Sequence, residues 1–341
     1  MIRTLVAGLG NMGRSHALAY HADPAFEIVG LVNRSTPADL PRELAAYPLT
    51  PGYAEALAGL KPDLVSIATY SDSHAAYAIA AMQAGAHVFV EKPLAATTAD
   101  AGRVADKARE TNRKVVVGYI LRHHPSWQRL IAEARALGGP YVFRLNLNQQ
   151  SSGPTWETHK ALMRTTSPIV DCGVHYVDVM CQITDARPVE VRGMGLRLSP
   201  EIADSMYNYG HFQVLFADGS LGWYEAGWGP LRSDTAFFVK DVVSPNGAVS
   251  IRMPETARSD DIDTHTRTSA IRLHRIGEPD QDLAMDGEPG HQALCDRQAA
   301  FVAEAIRGDA DLGRHLQDAV ASLAVCLAAD ESVRTGRPVR L

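Results

Sequence analysis

The first 120 residues alternate short apolar runs with Ala-rich stretches, and this alternation limits the possible folds more than any other feature of the chain. The apolar runs are continuous and rich in β-branched residues, which is typical of strands covered on both faces. They span residues 4–7, 27–32, 64–69, 87–90 and 115–119. The stretches between them favour helices, at 12–21, 53–59, 74–84 and 98–111. Such alternation predicts right-handed crossovers and an α/β domain with a doubly wound parallel sheet.

The first predicted strand runs into Gly8-Leu9-Gly10-Asn11-Met12-Gly13 and then into a helix. In a G-x-G-x-x-G turn the glycines permit a tight bend and a close backbone approach to a pyrophosphate, which rests on helix N-terminal amides. Gly-rich turns also occur for packing reasons alone. Because the pattern follows a strand and precedes a helix, it predicts dinucleotide binding by Gly8, Gly10, Asn11, Met12 and Gly13.

The second predicted strand ends in Asn33-Arg34-Ser35, twenty residues after Gly13. An acidic side chain at this place would bind the ribose 2′-hydroxyl of NAD, and none is present. A guanidinium flanked by amide and hydroxyl groups suits a 2′-phosphate, so the turn favours NADP. The alternative is a loop arginine that stacks on adenine, which NAD would equally permit.

Composition narrows the class of partner. The chain has 341 residues, 46% hydrophobic and 21% charged, with a net charge of −6 and no Lys/Arg-rich run, so we expect small molecules rather than nucleic acid. Since there is neither a secretion signal nor an 18-residue apolar run, we expect a cytoplasmic protein without a membrane partner. The four cysteines lack CxxC spacing and lie in apolar patterns, which predicts buried cysteines and no metal site.

A polar line crosses an otherwise apolar helix predicted within "SPIVDCGVHYVDVM", residues 167–180. Asp171, His175 and Asp178 fall at i, i+4 and i+7, on one side of that helix. Histidine titrates near neutral pH and serves as an acid or base, so the line is a candidate catalytic group. In the alternative interpretation, Asp171 caps the helix, His175 is a hydrogen-bonded core residue and Asp178 faces water.

A lysine follows the fourth predicted strand in the turn Glu91-Lys92-Pro93. Open parallel sheets bind ligands at the carboxyl ends of their strands, where this turn lies. The proline restricts Lys92 to an extended conformation, and the bond between them could be cis. The alternative is a surface turn with Lys92 in water.

From residue 141 onward the pattern changes to longer alternating runs with hairpin signals at Asp218-Gly219 and Asn246-Gly247. These runs predict a largely antiparallel open sheet in an α+β domain, covered by helices that include residues 167–180 and 292–335. Trp156 and His159 precede the helix with the polar line, and as aromatic side chains they are candidates to line a ligand pocket. The acidic segment 259–265 lacks a Ca²⁺-loop pattern and predicts a solvated loop.

Several of these motifs, in order, resemble those of the Gfo/Idh/MocA oxidoreductase family. They are GLGNMG, SDSHAAYAIAAMQAGAHVFVEKPLA, VGYILRHHP, DCGVHYVD and ADESVRTGRPVRL, and together they span nearly the whole chain. The resemblance implies an N-terminal Rossmann domain over residues 1–121. It implies a C-terminal α+β domain for substrate binding and oligomerisation over residues 122–341, whose last helix can pack back on the first domain.

The resemblance also implies an activity. Lys92 matches the family's catalytic lysine, Asp171 and His175 match its aspartate and histidine, and Asp178 matches a recurrent supporting acid. The implied reaction is hydride transfer between the nicotinamide of NAD(P) and a carbinol carbon of a sugar, polyol or sugar derivative. In it His175 acts as acid and base, and Lys92 holds and polarises the substrate oxygen. The rivals are a redox-assisted glycosidase or epimerase on the same scaffold and a non-catalytic nucleotide-dependent regulator.

The remaining expectations concern the rest of the site and the assembly. The resemblance implies further cofactor contacts at Thr69, Tyr70, His74, Glu91 and Lys92. Where the family has Thr-Pro-Asn this chain has Thr69-Tyr70-Ser71, so the surface near the nicotinamide is expected to differ. A homodimer or homotetramer is expected through one face of the second sheet. The expected substrate contacts are Lys92, Tyr119, Arg122, Trp156, His159, Asp171 and His175.

Overall fold

The structure, a computed structural model, describes residues 1–235, 237–260 and 268–341. Residues 261–265 of the predicted acidic loop lie outside these ranges. The described chain forms two compact units. Unit 1 comprises Met1–Ile120 and Gln292–Val320, and unit 2 comprises Leu121–His291 and Ala321–Leu341.

The secondary structure alternates strands and helices in the first part of the chain and is richer in strands afterwards. The helices are α1 (Asn11–Ala22), α2 (Tyr53–Leu60), α3 (Ser71–Gln83), α4 (Thr98–Thr111), α5 (Pro125–Leu137), α6 (Gly153–Leu162), α7 (Pro168–Thr184), α8 (His291–Arg307) and α9 (Gly313–Thr335). Short 3-10 turns occur at Arg42–Leu44 and Ile120–His123. None of the described helices is both long enough and apolar enough to cross a bilayer.

The strands form two sheets. They are β1 (Ile2–Ala7), β2 (Phe26–Val32), β3 (Leu49–Thr50), β4 (Leu64–Ile67), β5 (His87–Val90), β6 (Val115–Val117), β7 (Val142–Gln150), β8 (Pro188–Leu196), β9 (Tyr209–Phe216), β10 (Leu221–Gly229), β11 (Lys240–Ser244), β12 (Gly247–Arg252), β13 (Ala270–Arg275), β14 (Gln281–Ala284) and β15 (Val339–Arg340).

The sheet of unit 1 is parallel throughout, in the order β3-β2-β1-β4-β5-β6. This order reverses direction at β1, as in a doubly wound fold, and it confirms the predicted fold class. The predicted strands and helices of this half are present, with ends that differ by a few residues. The strand β3 was not predicted, because two residues are too few to show a periodicity.

Helix α8 completes the core of unit 1, although it is distant from the sheet in sequence. Cys295, Ala299 and Val302 of this helix are buried in one cluster with Val6 and Leu31 of the parallel sheet. At the start of α8 the Gln292 side chain donates a hydrogen bond to the carbonyl oxygen of Ser15 at 2.9 Å. Burial of this apolar face supplies the hydrophobic free energy that holds the late helix on the early sheet.

The sheet of unit 2 has the order β14-β13-β12-β11-β7-β10-β9-β8-β15. Among the described strands of this sheet, only the β7–β10 pair is parallel and the other pairs are antiparallel, which confirms the predicted largely antiparallel sheet. The two predicted hairpins are also present. Asp218-Gly219 joins β9 to β10, and Asn246-Gly247 joins β11 to β12; both glycines have positive φ, which side chains with a β-carbon rarely adopt.

One face of this sheet is covered by helix α7, which packs against β10. Tyr224 and Phe212 on this face have no exposed surface. Gly173 permits the close contact, because a β-carbon there would lie 3.1 Å from both the Tyr224 ring and the Cys326 sulfur. All four cysteines are buried, as predicted.

A buried lysine lies elsewhere in unit 2, at the start of β11. Only 2% of Lys240 is exposed, and its ammonium lies 5.3 Å from the Trp127 ring and 5.2 Å from the Phe238 ring. Burial lowers the pKa of Lys240 to about 7, although the negative charge of Glu288 opposes that shift. The ammonium therefore loses its proton far more easily in the folded chain than in the unfolded chain, where its pKa is about 10.4.

We predict that the effect of Lys240→Met on stability depends on pH. Below about pH 7 Lys240 binds its proton in both the folded and the unfolded state, so the wild-type protein bears the cost of burying the ammonium. Between about pH 7 and 10 the unfolded state binds more protons, so wild-type stability rises with pH. The free energy of unfolding of Lys240→Met minus that of wild type should therefore fall by about 1 kcal/mol or more between pH 6 and pH 10. Urea unfolding at pH 6, 8 and 10 measures it.

The control is Lys107→Met, because Lys107 pairs with Glu110 on the surface of α4 and should show no such trend. A difference in stability between Lys240→Met and wild type that is equal at all three pH values would contradict the lowered pKa.

Candidate functional site

The Gly-rich turn between β1 and α1 has two crowded glycines and one open glycine. Gly8 has φ +92°, and a β-carbon there would overlap the main chain of Ala68. A β-carbon at Gly13 would overlap the Gly8 carbonyl oxygen. At Gly10 no atom lies within 4 Å of the β-carbon position. The first and third glycines therefore serve the fold, whereas the second leaves space in front of the α1 N-terminus.

The start of α1 suits a phosphate group. Gly10 is the N-cap, it contributes no side-chain hydrogen bond, and the first turn contains no acidic residue. Asn11 and Met12 are the first helical residues. N–H groups at a helix start attract anions, so this turn can hold the pyrophosphate of a dinucleotide.

Asn33 is used by the fold rather than left open to a ligand. Its side-chain oxygen accepts a hydrogen bond from the Leu9 amide at 3.0 Å, and its amide nitrogen donates to the Ser35 carbonyl oxygen at 2.6 Å. These two bonds connect the Gly-rich turn to the end of β2. The exposed guanidinium of Arg34 lies 6.0 Å from the centre of the Tyr70 ring, which is 61% exposed.

The loop after β4 is tied to the turn after β5. His74 of α3 is buried, and its two ring nitrogens lie 2.8 Å from the Pro93 carbonyl oxygen and 3.0 Å from the Thr69 carbonyl oxygen. A neutral imidazole can donate to only one of them, and burial lowers the pKa of His74, which favours that neutral form. The hydroxyl of Thr69 lies 2.6 Å from that of Ser73.

Lys92 is half-buried directly after β5, and its bond to Pro93 is cis. The preceding residue, Glu91, is only 6% exposed and accepts a hydrogen bond from the ring of His16 at 2.7 Å. Sequence reasoning missed His16. No local signal links it to Glu91, which is 75 positions away.

Helix α7 begins with a cap that the sequence analysis did not assign. The Ser167 hydroxyl accepts a hydrogen bond from the Val170 amide at 3.1 Å and donates one to Asp330 at 2.8 Å. The interpretation in which Asp171 caps the helix is therefore wrong. Burial raises the pKa of Asp330, while its hydrogen bonds from Tyr207 and Ser167 oppose that shift.

The polar line on α7 divides into an exposed part and a buried part. Within Pro168–Cys181 only Asp171 and His175 are partly exposed. Asp178 has no exposed surface, and its carboxylate accepts two hydrogen bonds from Arg122, at 2.9 and 2.6 Å. The interpretation in which Asp178 faces water is therefore wrong. Two-pronged guanidinium–carboxylate pairs are rigid, so this one fixes the angle of α7 to the turn that carries Arg122.

Further aromatic and amide groups of unit 2 contact one another, and one of them contacts Cys172 of α7. The His159 ring stacks on the Trp228 ring with centroids 4.3 Å apart, and the Trp228 nitrogen donates to the Gln149 side-chain oxygen at 2.9 Å. The Cys172 sulfur lies 3.7 Å from that same oxygen and 3.6 Å from the carboxylate of Asp171. Sequence reasoning missed Gln149.

Two predicted substrate residues are buried. The Trp156 ring is 5% exposed, and its nitrogen donates to Glu201 at 3.2 Å. Tyr119 is fully buried in unit 1, with its ring 6.2 Å from that of His315. Their contacts with a substrate stay predictions, as does that of Arg122. Among the described residues, no group of three His, Cys, Asp or Glu side chains could hold a metal ion.

Comparison with known proteins gives two family matches along the chain. Residues 2–119 match the model of an oxidoreductase family with an NAD-binding Rossmann fold, and residues 128–239 match the GFO/IDH/MocA C-terminal domain. A UDP-N-acetylglucosamine 3-dehydrogenase of Acidithiobacillus ferrooxidans is 32% identical over 203 residues. That match covers 60% of this chain and 61% of the relative.

Two further proteins match over the full length. The scyllo-inositol 2-dehydrogenase (NAD(+)) of Bacillus subtilis is 25% identical, over 100% of this chain and 96% of the relative. The structure of scyllo-inositol dehydrogenase from Lactobacillus casei, with bound NAD(H) and scyllo-inositol, has a TM-score of 0.79 at 18% identity, over 100% and 99% of the two chains. With both family models matched in order, the chain belongs to the Gfo/Idh/MocA oxidoreductase family.

Proposed function

We propose that the chain is an NAD(P)-dependent oxidoreductase that transfers a hydride between the nicotinamide and a carbinol carbon of a sugar, polyol or sugar derivative. The observation that carries the proposal is helix α7, which buries every residue from Pro168 to Cys181 except Asp171 and His175. The open position at Gly10 supports dinucleotide binding. The substrate class is supported by the names of the relatives, which are dehydrogenases of UDP-N-acetylglucosamine and of scyllo-inositol.

The proposed chemistry uses one acid–base group and one cation. The imidazole of His175 takes the proton of the substrate hydroxyl, because histidine in general is suited to proton transfer near neutral pH. When bound, the nicotinamide supplies the hydride acceptor. The ammonium of Lys92 binds the same substrate oxygen and stabilises the negative charge that develops on it. In the reverse direction His175 returns the proton.

Other side chains of unit 2 position these groups. Asp171, one turn before His175, orients the imidazole or a substrate hydroxyl. The Arg122–Asp178 pair holds the polar side of α7 in place. The partly exposed ring of His159, which stacks on the buried ring of Trp228, offers an apolar surface to the C–H face of a sugar ring. We propose accordingly that unit 1 binds the cofactor and that unit 2 supplies the acid–base group and most substrate contacts.

An assay with NAD and with NADP should identify the reaction. We expect a net change in absorbance at 340 nm with at least one of myo-inositol, scyllo-inositol and UDP-N-acetylglucosamine. Conversion of a substrate without net absorbance change would instead favour a redox-assisted glycosidase or epimerase, in which the cofactor is reduced and reoxidised within one turnover.

We predict that Lys92→Ala lowers kcat at least ~100-fold, because the alkoxide loses its stabilising cation. Affinity for the reduced cofactor, measured by its fluorescence, should stay within about threefold of wild type, since the Gly-rich turn is untouched. Lys107→Ala, on the surface of α4, should leave both quantities unchanged. Unchanged turnover in Lys92→Ala would remove this lysine from the mechanism.

Within NAD(P) we propose a preference for NADP. Asn33 is hydrogen-bonded within the fold, so the side chains offered to a ligand after β2 are those of Arg34 and Ser35. Neither is acidic, and a guanidinium with a hydroxyl beside it binds a 2′-phosphate. The exposed ring of Tyr70 near Arg34 also offers a surface on which adenine can stack.

Arg34→Ala should raise KM for NADP about 10-fold or more, because a charge-assisted hydrogen bond to the 2′-phosphate is lost. KM for NAD should change less than about threefold. The control is Arg109→Ala, whose guanidinium pairs with Asp106 on the surface of α4. Equal effects on the two cofactors would refute the preference.

We also propose that the chain is a homodimer or homotetramer, joined through the face of the second sheet opposite α7. A row of apolar side chains crosses four neighbouring strands there. Val243, Val142, Leu221 and Leu215 are 38%, 42%, 40% and 43% exposed. Contiguous exposed apolar surface of this kind marks an association site.

Mass photometry should give a multiple of the 36.9 kDa chain mass for wild type. A double variant, Leu215→Glu with Leu221→Glu, should shift the mass towards one chain because it buries two charges in the contact. Ile276→Glu, at a 71% exposed position outside the row, should leave the mass unchanged. A wild-type monomer would contradict the proposal.

A further inference from the structure

We infer that His16 and Glu91 form a positioning pair that fixes the main chain at Lys92 relative to the Gly-rich turn, and that the pair controls turnover through Lys92. The inference rests on the proposed catalytic role of Lys92 and assigns to two other residues the task of placing it.

The carboxylate of Glu91 connects a helix to the main chain of the lysine. One of its oxygens accepts a hydrogen bond from the His16 ring nitrogen at 2.7 Å. The other accepts one from the Lys92 backbone amide at 3.2 Å. The Glu91 amide itself donates to the Ile67 carbonyl oxygen of β4 at 2.8 Å. The position of the Lys92 backbone nitrogen is therefore set by α1 as well as by the sheet.

The surroundings leave this carboxylate little freedom. His16 is 1% exposed and its ring lies 4.5 Å from that of Phe89 in β5, centre to centre. On the other side, a β-carbon at Gly118 would lie 2.7 Å from a carboxylate oxygen of Glu91. Side chains from α1 and β5 and the main chain after β6 thus enclose Glu91. Because the enclosed Glu91 carboxylate bonds to both His16 and the Lys92 amide, a shift of α1 would move the main chain at Lys92.

A second tie acts on the other side of Lys92. The Pro93 carbonyl oxygen lies 2.8 Å from the His74 ring, and the same ring reaches the Thr69 carbonyl oxygen after β4. The residue before Lys92 is therefore hydrogen-bonded to the buried His16, and the carbonyl group of the residue after it lies against the buried ring of His74. With its main chain fixed on both sides, the lysine has only its side-chain rotamers left to place the ammonium.

Stability alone does not account for the buried pair. Taking a carboxylate out of water is costly, and apolar side chains of similar volume often replace a buried ion pair without loss of stability. An apolar pair, however, could not hold the Lys92 amide through a carboxylate. Such a replacement would therefore remove the hydrogen bond between the Glu91 carboxylate and the Lys92 amide.

The test replaces the pair by apolar side chains and measures kinetics with whichever of myo-inositol, scyllo-inositol and UDP-N-acetylglucosamine turns over fastest. His16→Leu combined with Glu91→Met should keep the thermal midpoint near that of wild type and lower kcat about 10-fold or more, because a misplaced catalytic group is costly. Affinity for NADH and NADPH, measured by fluorescence, should change less than about threefold. His16→Gln retains a donor to Glu91 and should recover most of kcat.

A double-mutant cycle with Lys92→Ala separates positioning from other effects. If the pair acts through Lys92, its removal should lower kcat no further once the lysine is absent. Multiplicative losses would overturn the inference, as would an unchanged kcat in the apolar pair. These results differ from failure of the proposed function, in which Lys92→Ala alone would leave kcat unchanged.

The matched control is His87→Leu, at the opposite end of the same strand. The His87 ring accepts a hydrogen bond from the Lys114 amide at 3.0 Å, so its loss should lower stability and leave kcat unchanged. An equal loss of kcat in this variant would show that any weakening of β5 impairs turnover, and it would overturn the inference.

Discussion

The close approach of the main chain at Gly8, Gly13 and Ala68 is the constraint on which the first unit depends. Because no β-carbon fits at the two glycines, α1 can pack tightly against the ends of β1 and β4. That packing presents the α1 N-terminus at the carboxyl edge of the sheet. It also brings His16 to Glu91. One steric condition thus serves both the phosphate-binding turn and the segment that carries the lysine.

In the second unit, a largely buried helix carries several polar side chains. Helix α7 packs on β10 along an apolar surface, and each of its polar groups has a different environment. The Ser167 hydroxyl caps the first turn of the helix and donates a hydrogen bond to Asp330. Arg122 neutralises the buried carboxylate of Asp178. Within Pro168–Cys181 only Asp171 and His175 remain partly exposed. The burial of the rest of this stretch restricts the positions of these two side chains.

Local sequence patterns predicted most of the helices, strands and turns, but few of the side-chain hydrogen bonds between distant residues. The alternation of strands and helices, the Gly-rich turn, the two hairpin turns and the helical spacing of Asp171, His175 and Asp178 are all short-range signals, and the structure has each of them. The partner of Glu91 and the partner of Asp178 lie 75 and 56 positions away, respectively. Such pairings depend on how elements pack, which no local periodicity encodes. For the same reason the sequence could not show that Asn33 is used by the fold.

The most direct measurement is a crystal structure of the chain with bound NAD(H) and scyllo-inositol, or with the substrate found by the absorbance assay. It should place the Lys92 ammonium nitrogen and a His175 ring nitrogen within about 2.6–3.2 Å of one and the same substrate hydroxyl oxygen. A bound substrate whose reacting oxygen contacts neither nitrogen, or a cofactor bound away from the Gly-rich turn, would contradict the proposed mechanism.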